Sequence, residues 1–487
     1  MLDEYRYVAH RVVRRVGGAS VDERGRFVAG GLESRNERWS PPAGISLRIA
    51  KDHHRRPLAV TLVPAHALDF QPLLLLQLRR ARCYCGGASR NVGELSADYE
   101  VVAMLPIPEA PEEITPEWLT AALTKTRVLR RGHVTAARWE RVGQDYGFTG
   151  VVGRVQLRYE NEDGDPPASM IAKLPMAQDD AVSAYRKRQE RDPALVDRYY
   201  ERCACEARFY HEVPAAFAPG LYYSAADDAQ RRVVLLLEDL GGGRQGDVLD
   251  GCSTDDAALV IEELAPFHAG WWGNRAPTTE FPRAGTDDLQ TRQDRYAAQL
   301  PRFFAEYGNV VPPGVSRIVE GLGSRLAAVA QALYARPQTL IHGDLHLDNM
   351  IFDARGEGRS VVVFDWQTVS VGSPAWDVTL FLFGSLGVED RRAAEAQLFE
   401  RYVMLLSAHG VRDYSVDDLR RDCGLALLVL LAGTVVWLSA LERGELTARE
   451  RSLQHAALAD GRLVAAVIDH DVGALLDNST PRERCSR

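Results

Sequence analysis

The chain has 487 residues, enough for two or three folding units. Its hydrophobic content of 46% and charged content of 26% are ordinary for a globular protein. A formal net charge of −9 speaks against nucleic acid as a partner, because that partner calls for a broad basic surface.

Residues 1–103 differ from the rest. They hold 15 Arg and one Lys against 11 acidic residues, in a chain that is acidic as a whole. Little helical or strand periodicity is visible, and tracts such as Trp39-Ser-Pro-Pro-Ala-Gly44 have loop composition. The expectation is a poorly ordered extension, preceding a domain that starts near Met104. From there the signals become regular. Thr115 is placed to cap a helix whose first residue is Pro116. Strands are expected at 138–142, 151–159 and 169–174, the first two joined by a glycine-rich turn. A helix is expected at 195–212, then a buried strand at 233–238 ending in a Gly-rich loop. After about residue 255 the pattern is helical, apart from short strands at 339–341, 350–352 and 361–364. The tail from about Asn478 is polar.

The seven cysteines, Cys83, Cys85, Cys203, Cys205, Cys252, Cys423 and Cys485, form no disulfide framework and suit a reducing cytoplasm, the expected location. No second Cys-x-Cys lies at zinc-site spacing. The N-terminus lacks a basic-then-apolar secretory start. The uncharged stretch Gly424–Leu441 approaches spanning length, but it reads as the central helix of a helical domain, with no membrane span expected. Only four lysines occur, so one inside a strand stands out.

The chemistry-bearing stretch is Leu340-Ile-His-Gly-Asp-Leu-His-Leu-Asp-Asn-Met-Ile-Phe352, a strand entering a polar loop and leaving as another strand. Asp344 is followed five residues later by Asn349, the offset that protein kinases use for catalytic base and metal ligand. A further apolar strand then ends in Asp365. Phosphoryl transfer needs a carboxylate to orient the attacking hydroxyl, here Asp344. It also needs oxygen ligands for Mg²⁺, here Asn349 and Asp365. A turn between strands would favour Asn and Asp as well, but it would not call for acids at two strand ends together with His342 and His346.

These residues resemble the aminoglycoside phosphotransferase and choline kinase superfamily, whose catalytic loop reads H-G-D-x-H-x-x-N. Phe364-Asp-Trp-Gln367 resembles its metal-binding motif, and Gly372-Ser-Pro-Ala-Trp-Asp377 the helix that follows. The wording is most similar to the ecdysteroid-kinase-like branch, over roughly residues 110–460. The resemblance implies an α+β, bilobal, protein-kinase-like fold: a small β-rich lobe over 104–240, a mainly helical lobe over 241–475 and a frayed tail over 476–487. It implies ATP and Mg²⁺ as cofactors and a small-molecule hydroxyl as acceptor. Lys173 would contact the α- and β-phosphates and Glu206 would pair with it. Gly147 and Gly150 belong to the turn that would cover the phosphates. Backbone groups of Glu238 to Leu240 would hold the base, with no task expected of the side chains. His342 and His346 would brace the loop, and Asp377 would hydrogen-bond it. His268 is read as a packed residue near the pocket.

Other readings fit less well. Gly241-Gly-Gly-Arg-Gln-Gly246 matches G-x-G-x-x-G, but a loop follows where a dinucleotide fold needs a helix. His342-x-Asp-x-His346 could open a metallohydrolase site, but the remaining downstream histidines fall in helical sequence. A protein kinase needs a long activation segment, and only ten residues separate Asp365 from Trp376. A catalytically silent kinase-like binding protein remains the alternative. Trp271, Trp272, Trp376 and Trp437 lean toward a hydrophobic alcohol as acceptor.

Overall fold

The computed structural model describes residues 19–21, 27–29, 45–49, 60–64, 105–142, 151–162, 164–174, 194–273, 281–285, 288–356, 359–440, 452 and 461–478. The chain forms two units, Met1–Ala103 and Met104–Arg487. In the first, Ala19–Val21 pairs antiparallel with Phe27–Ala29, and Ile45–Ile49 with Val60–Pro64. The sequence pattern does not announce these strands. The expectation made for the remainder of residues 1–103 lies outside the described residues, as does the end of the tail.

The second unit is α+β, with a small β-rich lobe and a larger, mainly helical one. Helix α1 (Pro116–Lys125) opens as its first turn dictates: the Thr115 hydroxyl accepts the Trp118 N–H and Pro116 fills the position that needs no donor. The strands β1 (His133–Arg141), β2 (Val151–Glu160), β3 (Ser169–Leu174), β4 (Leu221–Asp227) and β5 (Arg232–Glu238) form one antiparallel sheet, in the order β1-β2-β3-β5-β4. Strand β1 starts earlier than its apolar residues suggest, and β4 is not anticipated by the sequence because its burial does not alternate cleanly.

Alternation in β3 positions the site. Met170, Ala172 and Leu174 point into a core shared with Trp118, Leu119 and Leu123 of α1, so Ile171 and Lys173 point to the opposite face. That opposite face meets helix α2 (Ala194–Glu212), where Tyr200 and Ala207 pack on Val233, Leu235 and Leu237. Strand β5 is buried on both faces, which is why Val233-Val-Leu-Leu-Leu237 is a continuous apolar run.

After β5 the chain crosses to the helical lobe. Strand β6 (Arg244–Gln245) pairs with β8 (Met350–Phe352), which pairs with β9 (Val361–Val363); β7 (Thr339–Ile341) pairs with β10 (Ser370–Gly372). The lobe's helices are α3 (Thr254–Gly270), α4 (Leu289–Tyr307), α5 (Pro313–Tyr334), α6 (Pro374–Ser385), α7 (Val388–Ala408), α8 (Val416–Ala440), α9 (Arg462–Asp469) and α10 (Val472–Asn478), of which α3 and α6 pack on these short strands. Helix α8 contains Val416–Ser439, which is long and apolar enough to cross a membrane by length and composition. Its apolar window is 72% buried by the protein itself, because α4, α5, α6, α7, α9 and α10 pack around it.

Candidate active site

Tyr199, Cys203 and Glu206 recur at helical spacing along α2 and line one cavity, of about 360 Å³, with Lys173, Leu240, Asn349 and Asp365. Helix α2 is held at both sides. Tyr200 and Ala207 rest on the sheet, whereas Phe209 stacks on Trp366 in the helical lobe, ring centroids 3.8 Å apart and 9° from parallel. Glu206 is thereby driven to 1% exposure beside Lys173. The Lys173 Nζ lies 2.8 Å from both Glu206 oxygens and 2.8 Å from Asp365 Oδ1. Burial alone would pull the ammonium down in pKa. The carboxylates of Asp365 and Glu206 outweigh it and hold it above the ordinary lysine range, so Lys173 is a cation. Its backbone is fixed from both sides, opposite Val152 of β2 and Leu235 of β5.

Asp365 adopts left-handed backbone, φ 65°, a conformation that aspartate tolerates better than most residues. Trp366 behind it is fully buried, donates its indole N–H to the Val363 carbonyl at 2.9 Å and packs on the His342 ring. The loop from His342 to Asn349 is braced from several sides. Asp377, fully buried on α6, accepts the N–H groups of His342 at 2.7 Å and Gly343 at 2.9 Å. His268 stands 3.3 Å from the same carboxylate through Nε2 and 2.7 Å from the Tyr402 hydroxyl through Nδ1. Trp376 donates to the Gly343 carbonyl at 2.9 Å. Gly343 has φ 84°, and a Cβ there would meet the Thr368 carbonyl oxygen at 2.5 Å, so no other residue fits the turn.

His342 is buried, which pushes its pKa down and keeps it neutral. As a neutral ring it accepts the Asp344 N–H at 3.2 Å through Nδ1 and donates to the Phe364 carbonyl at 3.0 Å through Nε2. Asp344 is half exposed, with His346 Nε2 at 3.5 Å. Burial would raise the Asp344 carboxyl, but the hydrogen bond and charge of His346, with a smaller contribution from Arg202, hold it below the usual aspartate range. Burial would lower His346; Asp344 outweighs it, and the imidazole is raised. Asn349 donates through Nδ2 to the Asp344 carbonyl at 3.0 Å. Its Oδ1 has no partner among the described residues. An amide oxygen and the Asp365 carboxylate are hard donors of the kind Mg²⁺ takes, so the residues present fit that ion.

A model of the phosphotransferase enzyme family matches residues 184–414. The match spans α2, the inter-lobe crossing and the loop around Asp344, and over it the chain is similar to phosphotransferase enzymes. No curated protein matches. Among solved structures, an ethanolamine kinase from Plasmodium vivax is 12% identical, with 71% of this chain and 83% of that chain covered and a TM-score of 0.39. A choline/ethanolamine kinase family protein from Mesorhizobium loti is 17% identical (69% and 93% covered, TM-score 0.36). A choline kinase from Streptococcus pneumoniae is 15% identical (69% and 94% covered, TM-score 0.37). Similarities at this level decide no activity.

The structure thus brings Lys173, Glu206, Asn349 and Asp365 to one cavity, and places Asp344, His342 and His346 on one loop that Asp377 of α6 hydrogen-bonds. Asp344 is not among the residues lining that cavity. Gly147 and Gly150 lie outside the described residues. The acidic side chains of the hinge are engaged. Glu238 accepts the Gly220 N–H at 2.9 Å and pairs with Arg355, which also reaches the Ala218 carbonyl at 2.8 Å. Burial would raise Glu238, and Arg355 more than offsets it. Asp239 binds Arg154. In the hinge backbone, Leu240 C=O accepts the Gly243 N–H at 3.0 Å, and the Leu240 N–H has no partner among the described residues. Of the four tryptophans, Trp376 braces the loop and Trp272 packs edge-on against Tyr414, whereas Trp437 is exposed. Sequence reasoning missed Arg154, Arg355, Tyr402 and Arg202. None carries a local motif; Arg202 lies on α2 itself, and the others come from segments remote in sequence.

Proposed function

We propose that the chain is a small-molecule kinase, moving the γ-phosphoryl group of ATP to an alcohol hydroxyl with Mg²⁺ as cofactor. The observation that carries this reading is the Lys173 ammonium, 2.8 Å from Glu206 and from Asp365, at the wall of a cavity of about 360 Å³ reached also by Asn349 and the hinge. That volume suits a nucleotide-sized ligand. Lys173 binds phosphate oxygens, and Glu206 fixes its direction. The Leu240 N–H is the hinge donor for the base. Asn349 Oδ1 and the Asp365 carboxylate hold the ion, which when bound neutralises charge developing on the phosphates. Asp344, kept ionised by His346, orients the acceptor hydroxyl and takes its proton as attack proceeds. Asp377 and Trp376 keep the loop that carries it in place.

The acceptor is read as a small alcohol. The ecdysteroid-kinase-like branch rests on the wording of Phe364–Gln367 and Gly372–Asp377. The test is a screen of alcohols for ATP consumption, with Asp344→Ala as the blank. Turnover that Asp344→Ala abolishes while nucleotide still binds is the expected result. Turnover surviving in Asp344→Ala overturns the base assignment. Nucleotide binding without turnover of any alcohol favours a catalytically silent binding protein. Asp365→Ala is expected to lose the Mg²⁺-dependent part of nucleotide binding.

A further inference from the structure

At the hinge end of the cavity, Arg154 of β2 forms a two-pronged ion pair with Asp239, 85 residues away in sequence. Its Nε donates to Oδ2 at 2.7 Å and its Nη2 to Oδ1 at 3.2 Å. Asp239 lies between Glu238 and Leu240, its side chain is 7% exposed, and it also accepts the Gly241 N–H at 3.0 Å. Arg154, Asp239 and Gly241 all line the cavity, on the same side as Val152, Ile171 and Leu237.

Two features set this pair apart from a surface ion pair. The first is that its geometry is over-determined. Two parallel hydrogen bonds fix the guanidinium plane, and Nη1 keeps no partner among the described residues. The second is the backbone beneath it. A Cβ on Gly241 would stand 2.5 Å from Arg154 Nη2, so the hinge gives up a side chain where the guanidinium lies. Burying a carboxylate to hold an arginine returns little stability by itself. The two bonds hold the guanidinium in one plane among the residues that line the cavity, and the π-face of a guanidinium stacks on aromatic rings.

We propose that Arg154, held flat by Asp239, contacts the nucleotide and closes the outer side of the base pocket by stacking on the purine. This rests on the nucleotide reading above. The pair is neutral overall, so it acts on the base and adds no attraction for the phosphates, which fall to Lys173.

The division of labour supplies the test. Binding of ATP, adenosine and inorganic tripolyphosphate to the full chain is measured by calorimetry for the parent, Arg154→Met and Gly241→Ala. Gly241→Ala keeps both ionic partners and displaces the fork by sterics alone, and it decides the matter where Arg154→Met does not fold. Expected is a loss of about 5- to 30-fold for ATP and for adenosine alike, the size of a desolvated cation–π contact, with tripolyphosphate unchanged. ATP affinity within twofold of the parent in both variants overturns the proposal. An equal loss for tripolyphosphate also overturns it, because that marks a general disturbance of the lobe. A parent chain that binds neither ATP nor adenosine refutes the nucleotide reading itself, and the stacking role with it.

Discussion

Replacing Asp377 by Asn probes how the loop carrying Asp344 is held. The carboxylate is fully buried and accepts two backbone N–H groups, at 2.7 and 2.9 Å. A hydrogen bond to a charged group contributes about 1.5–3 kcal/mol, a neutral one about 0.5–1.5 kcal/mol. Asparagine keeps one acceptor oxygen and turns an NH₂ toward the other N–H. One neutral bond thus replaces two charge-assisted ones, and one buried donor is stranded. The expected cost is about 2–5 kcal/mol. For a unit of nearly four hundred residues that is a fall in Tm of about 3–6 °C. Thermal unfolding of parent and variant measures it, with ATP affinity as the control, since the hinge and Lys173 are untouched. A Tm within 1 °C of the parent would refute the reasoning, because it would mean that those two N–H groups do not depend on the Asp377 charge.

Lys173→Met strands Glu206 and Asp365 and is expected to cost about 3–5 kcal/mol in urea unfolding, as removal of one partner from a buried pair does. Adding Glu206→Gln should recover at least about 1 kcal/mol of it; strict additivity of the two substitutions would show that the pair is not coupled. Gly343→Ala forces a side chain into left-handed backbone and against the Thr368 carbonyl, at about 1–2 kcal/mol for the backbone alone. It should abolish ATP consumption while leaving ATP binding intact, and normal turnover would show that the loop tolerates the shift. At the start of α8, Asp418 accepts the Ser415 N–H and hydroxyl and pairs with Arg336 and Arg421, and its pKa is lowered to about 2, chiefly by Ser415. A lowered folded-state pKa gives stability that is present above the unfolded aspartate value and lost as pH falls through the folded one. Asp418→Asn should therefore lower Tm at pH 7, with the difference shrinking between about pH 4 and pH 2. A difference that persists at pH 2 would mean the carboxylate charge is not its source.

Much of this protein could be read from local pattern. The N-cap of α1, the strand at Ser169–Leu174 and the loop Leu340–Phe352 lie where residue spacing puts them, because each is fixed by groups within a few residues of one another. The pairing of Lys173 with Glu206 was named by resemblance, and the geometry has its own cause. Alternation turns Lys173 away from the α1 core, and helical spacing turns Glu206 toward it. What sequence pattern could not supply were contacts between segments with no shared periodicity. Arg154 meets Asp239 across 85 residues, Arg355 meets Glu238 across 117, and Tyr402 meets His268 across 134. The bonding of Lys173 to Asp365, 192 residues apart, is of the same kind.

The sequence alone determined where the candidate groups lie: Asp344, Asn349 and Asp365 fall at strand ends and in short loops, positions that hold side chains rigidly. Only the tertiary structure decided which charges face one another. That depends on how α2 is held between sheet and helical lobe, and on which arginines the packing of distant segments brings to the hinge.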